Sequence, residues 1–197
     1  MTTRHPSASP TRIRFGSRPV LAAGFVRRQG QDELFDAVFA HSEPRTVLTG
    51  MRGSGKTQLA AAVAARCEEE GWPLVAWIHA ASRKEILAGL YEFALRIGID
   101  APKNIPLEVI VQRLLDQLRS AEAADRLFVF DNVENPDDLR DLIPEGAGVR
   151  VLITTPRHFD WDGLGWLRLA VGAFDREQSV SLLCEHTGDT HREAADR

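Results

Sequence analysis

Apolar and polar positions follow two rhythms along this chain. Short, nearly continuous apolar runs occur at RTVLT (45–49), PLVAWIH (73–79), RLFVFD (126–131) and RVLITT (150–155), with a weaker one at LRLAV (167–171). Their length and their content of β-branched and aromatic residues predict strands buried on both faces. Between them, apolar residues recur at helical spacing over 57–70, 83–97 and 107–121, with a short helical pattern near 136–141. A further short helix is predicted at QDELFDAVFA (31–40), where Leu34, Val38 and Phe39 fall at helical spacing. Strands alternating with helices predict an α/β domain, three layers deep (αβα), around a mainly parallel five-stranded sheet.

The ends of the chain break the pattern. Residues 1–20 are rich in Ser, Thr, Pro and Arg without periodicity and are expected to form a flexible arm ahead of a domain over 21–172. FDREQSVSLLCEHTG (174–188) reads as a helix with Val180, Leu182 and Leu183 on its apolar side, and DTHREAADR then offers no closing layer. Residues 173–197 are therefore expected to begin a helical subdomain of a longer protein.

Composition changes this picture little. A chain of 197 residues with 44% hydrophobic and 26% charged residues is long enough for one globular domain with a sizeable core. The net charge of −4 supplies no global basic field, so nucleic acid is not expected as a partner. No apolar stretch approaches the ~20 residues of a membrane span and the N-terminus lacks a signal-peptide core, so the expected location is cytoplasmic. Cys67 and Cys184 both fall in helical patterns and are expected to be reduced and structural. Lysine occurs only at 56, 84 and 103, an arginine bias that fits a GC-rich bacterial genome.

The chemistry begins at Gly50, where Gly50-Met51-Arg52-Gly53-Ser54-Gly55-Lys56-Thr57 satisfies G-x-x-x-x-G-K-[ST]. The match follows a predicted strand and opens a predicted helix, as a phosphate-binding loop requires. Its glycines let successive backbone N–H groups face a phosphate, and the positive end of the helix adds to them. Lys56 is expected to bridge β- and γ-phosphates, and the Thr57 hydroxyl to hold Mg2+. Gln58 completes the candidate nucleotide-contacting stretch. Asp131, at the C-terminal end of an apolar strand, stands where open α/β sheets bind ligands and is the second candidate metal residue. Thr154, Thr155 and Arg157 end the next strand, where a hydroxyl can orient a water and an arginine can sense phosphate charge.

These segments, in this order, resemble the STAND NTPases, signal-transduction ATPases of the NB-ARC type found in apoptosome scaffolds, plant resistance proteins and many bacterial regulators. GFVRRQGQDEL (24–34) looks like the family's entry motif, GMRGSGKTQLA its P-loop, LFVFDNVEN its acidic strand, VLITTPRHFDW its sensor strand and LAVGAFDREQSVSLLCEHTG the start of its helical domain. The resemblance implies a P-loop NTPase fold that binds ATP or ADP with Mg2+, hydrolyses ATP slowly and uses nucleotide state to drive conformational change or assembly with further C-terminal modules or protein partners. It implies adenine contact by Phe25 and Val26, and a catalytic set of Lys56, Asp131, Asn132 and Arg157. The chain departs from the pattern at Arg27, where relatives have Gly, at Gln29, where they have Glu, and at Arg157, one place later than their arginine. Asn132 replaces a second acid. An amide positions water but takes no proton at neutral pH, which predicts slow turnover, with Glu134 as the nearest replacement acid.

Two alternatives stay open at this stage. One is an AAA+-like ATPase that remodels nucleic acid; the other is a non-catalytic interaction module with permanently bound ADP. This stretch of chain is expected to be monomeric with either nucleotide, while the full-length protein would oligomerise through its further modules.

Overall fold

The computed structural model describes residues 12–21, 31–39 and 44–172. Among the described residues six strands form one sheet: β1 (Ile13–Phe15), β2 (Arg45–Thr49), β3 (Leu74–His79), β4 (Arg126–Asp131), β5 (Val149–Thr155) and β6 (Leu167–Ala170), in the spatial order β1-β3-β4-β5-β2-β6. Every neighbouring pair is parallel. Parallel strands need crossovers, and the helices α1 (Gln31–Phe39), α2 (Lys56–Glu69), α3 (Arg83–Arg96) and α4 (Leu107–Ser120) cover both faces. Because side chains alternate along a strand, each strand feeds two cores. Phe128, Phe130, Val151 and Ile153 pack with Leu90 and Phe93 of α3 and Leu114 of α4. Leu127, Val129 and Leu152 pack with Leu34 of α1 and Leu59 and Val63 of α2. The fold is therefore the expected three-layer αβα sandwich, with both faces of β4 and β5 buried.

The sheet has one strand more than the predicted five. Ile13–Phe15 lies within the stretch expected to be an arm and instead pairs with β3, Ile13 N donating to Pro73 O at 2.8 Å. Ile13 and Phe15 pack on the core, Phe15 meeting Phe93 at 5.2 Å between ring centroids. Gly16 follows at φ 80°, where a Cβ would stand 1.9 Å from the Trp77 carbonyl oxygen, so only glycine lets the chain pass there. Arg14 and Arg18 both pair with Glu68 on α2. Three residues among Ser, Pro and Arg give no periodicity to read, and the strand exists because β3 offers it an edge.

The expected helix over 174–188 lies outside the described residues, as do Phe25, Val26 and Cys184. Cys67 is a free, fully buried thiol on α2; burial, with Asp125 and Glu68 adding to it, pushes its pKa well above the ordinary value. Among the described residues no helix is long and apolar enough to cross a membrane.

Candidate functional site: a phosphate cleft at the strand tips

Strand order decides where the polar residues meet. β5 lies between β2 and β4, so its C-terminal threonines stand between the Gly-rich loop that leaves β2 and the aspartate that ends β4. Asp131 is buried, and its Oδ1 accepts hydrogen bonds from the Thr57 hydroxyl at 2.9 Å and the Thr154 hydroxyl at 2.6 Å. The Thr154 oxygen also accepts from the Asn132 backbone N–H at 2.8 Å, and the Thr154 carbonyl accepts from Val133 N at 2.8 Å. One threonine thus fixes both the carboxylate and the backbone that follows it. Thr155 faces the other way along the strand, and its hydroxyl accepts from Arg157 N at 3.0 Å.

The loop is tied just as closely. Lys56 opens α2 and is buried, its ammonium donating to the carbonyls of Gly50 at 2.9 Å and Met51 at 2.7 Å. Burial pulls its pKa below the ordinary lysine value; Asp131 opposes that shift and Arg52 adds to it. Gly50 has φ 152°, and a Cβ there would lie 2.3 Å from the Val171 carbonyl oxygen, so the chain after β6 can close against the start of the loop only because residue 50 is glycine. Gly55 precedes α2 in the left-handed region, at φ 83°. Ser54 is buried, with its N–H donating to Met51 O at 3.2 Å, while Met51, Arg52 and Gly53 are exposed. Gln58 reaches the other way, to Val20 O at 3.3 Å.

The residues fit a nucleotide's phosphates and a hard divalent cation. Lys56 spends two of its three donors on its own loop. A Cβ at Gly53 would meet no atom within 4 Å, so the loop faces open space there. The hydroxyl of Thr57 and the carboxylate of Asp131 are oxygen donors of the kind Mg2+ prefers, and that ion keeps several waters rather than needing a full protein cage. Among the described residues no group of three or more His, Cys, Asp or Glu side chains suited to a metal occurs.

The remaining predicted residues occupy an outer rim. Asn132 is exposed and left-handed at φ 66°, a conformation Asn tolerates better than most residues. Arg157 donates from Nε to Glu134 Oε2 at 2.8 Å, while Arg52 donates from Nη2 to Glu134 Oε1 at 2.8 Å. From the sequence, Glu134 is expected as a replacement acid and Thr154 or Thr155 as a water-orienting hydroxyl. The structure engages Glu134 with two guanidiniums and Thr154 with Asp131, pairings between distant segments that no local pattern signals.

No family model and no curated protein matches the sequence. Solved structures do resemble it. Cdc6p from Pyrobaculum aerophilum shares 15% identity at a TM-score of 0.61, over 85% of this chain and 52% of that one. AMPPCP-bound DnaA from Aquifex aeolicus shares 15% at 0.51, over 87% and 57%. The Aeropyrum pernix ORC1 protein in complex with DNA shares 18% at 0.52, over 80% and 48%. The fold is that of the P-loop NTPases. The chain spans about half the length of these solved chains.

Proposed function

We propose that this domain binds ATP or ADP with Mg2+ and works as a slowly hydrolysing nucleotide switch of the STAND, NB-ARC type. The observation that carries the reading is the Asp131 carboxylate joined at one oxygen to Thr57 of the loop helix and Thr154 of the neighbouring strand. In this reading Lys56 and the loop N–H groups would hold the phosphates and Thr57 and Asp131 would hold the cation, whose chemistry would be charge stabilisation of the phosphoryl group. Asn132 accepts no proton from an attacking water, and both oxygens of Glu134 are engaged by arginines, which supports slow turnover. Contacts drawn from three segments, at Lys56 and Thr57, at Asp131 and at Arg157, let triphosphate and diphosphate favour different arrangements. Assembly and signalling belong, on this reading, to further modules of a longer protein.

A second reading, an AAA+-like ATPase acting on nucleic acid, takes its support from the likeness to DnaA and to an ORC1 protein solved with DNA. The net charge of −4 argues against it. Nucleotide extracted from the purified protein separates the two, since retained ADP is expected of a switch and an empty, fast-cycling site of a remodelling motor. In single-turnover hydrolysis, Asp131→Ala should lose most of the rate and Asn132→Ala little. Equal, wild-type rates in both variants would refute the acidic-strand assignment.

A further inference from the structure

Glu134 links two arginines that arrive from different sides of the cleft: Arg52 from the Gly-rich loop and Arg157 from the chain leaving β5, each at 2.8 Å and each to its own carboxylate oxygen. The carboxylate is the sheltered member, with its side chain 22% exposed, against 76% for Arg52 and 59% for Arg157. A sheltered anion therefore holds two exposed cations at the cleft mouth. Exposed ion pairs of this kind are weak, so a stronger anion can draw either guanidinium away. An open cavity of about 680 Å3 lies against Glu134 and Arg157, flanked by Pro156, His158 and Phe159, and gives the arginine room to move. A phosphoryl group is such an anion and matches the planar fork of a guanidinium.

We infer that Glu134 is a positioning residue that sets the preference of the site for triphosphate over diphosphate, by holding Arg52 and Arg157 in competition with the terminal phosphate. This rests on the phosphate-cleft reading above. With the bridge closed, the carboxylate neutralises one of the two positive charges at the rim, and a diphosphate is bound by the inner groups alone. A third phosphate adds the charge needed to capture Arg157, and opening the bridge opposes that gain. Glu134 thus lowers triphosphate affinity selectively and makes the rim respond to the presence of the terminal phosphate.

Calorimetric titration of the protein with Mg·ADP and with a Mg-bound non-hydrolysable ATP analogue tests this. Glu134→Gln keeps the shape and removes the charge; it should tighten the analogue roughly three- to tenfold more than ADP. Glu134→Asp should restore a ratio near that of wild type. In a background carrying both Arg52→Ala and Arg157→Ala, Glu134→Gln should leave the ratio unmoved. An unchanged ratio in the single variant, or equal tightening of both nucleotides, would overturn the inference while leaving the phosphate cleft intact. Loss of both affinities together with a lowered melting temperature would assign Glu134 a purely structural role and overturn it as well. Failure of the wild-type protein to bind either nucleotide would overturn the cleft reading itself, and this inference with it.

Discussion

Asp131 and Glu134 are close in sequence, and each is held by two partners, yet the rims they anchor are built on opposite terms. On the inner rim a buried carboxylate takes two hydroxyls from short, stiff threonines on a strand tip and a helix start. On the outer rim a half-buried carboxylate takes two guanidiniums on long, mostly exposed side chains. In the first case, removing one group strands another away from water, and a buried unsatisfied polar group is expensive. In the second, water and salt replace what is lost. The inner rim is suited to holding a charge in one geometry and the outer rim to changing its contacts.

That contrast predicts an order of effects. The largest belongs to Lys56→Ala, which removes a buried, compact charge that, on the proposed function, meets the phosphates. A charge-assisted contact of roughly 1.5–3 kcal/mol implies that affinity for a fluorescent ATP analogue falls about tenfold or more. Equal affinity of the two proteins would erase the distinction between rims.

Thr154→Val, close to isosteric, should come next. It deletes one of the two donors to Asp131, leaving Thr57 alone there, and removes the acceptor of the Asn132 N–H. A loss of about 1–3 kcal/mol in unfolding free energy is expected from urea denaturation. A midpoint matching wild type would mean that the hydroxyl organises nothing.

The smallest effect should come from Arg52→Gln. Breaking an ion pair whose arginine side chain is 76% exposed should shift stability by under about 1 kcal/mol, and the shift should shrink further in high salt. A loss as large as that of Thr154→Val would show that the outer rim is structural, not adjustable.

Much of the fold was legible because its signals are local. The strands at 45–49 and 126–131 match the observed bounds, since each apolar run coincides with a stretch buried in the sheet. At 73–79 the strand starts one residue later than the pattern, at Leu74, because Pro73 has no N–H to donate and instead offers its carbonyl to Ile13. At 150–155 it starts one residue earlier, at Val149, which pairs with Arg126 of β4. β1 was not legible at all, because its three residues become a strand only against the free edge of β3.

The site divides in the same way. Gly50 through Thr57 is contiguous, so its glycine spacing, its lysine and the helix that opens behind it are dictated by the chain itself, and sequence alone determined a Gly-rich loop leading from strand to helix. Asp131 at the end of a run of four buried apolar residues was likewise a local statement. Only the tertiary structure decided what those groups touch. Thr57 meets Asp131 across 74 positions, and Arg52 meets Glu134 across 82, because the strand order sets β5 beside both β2 and β4 and brings their C-terminal ends to one edge. Hydrophobic periodicity states that a strand is buried and on which faces. It does not state which strand lies next to it, and the pairings of Thr154 and Glu134 depend on that order alone.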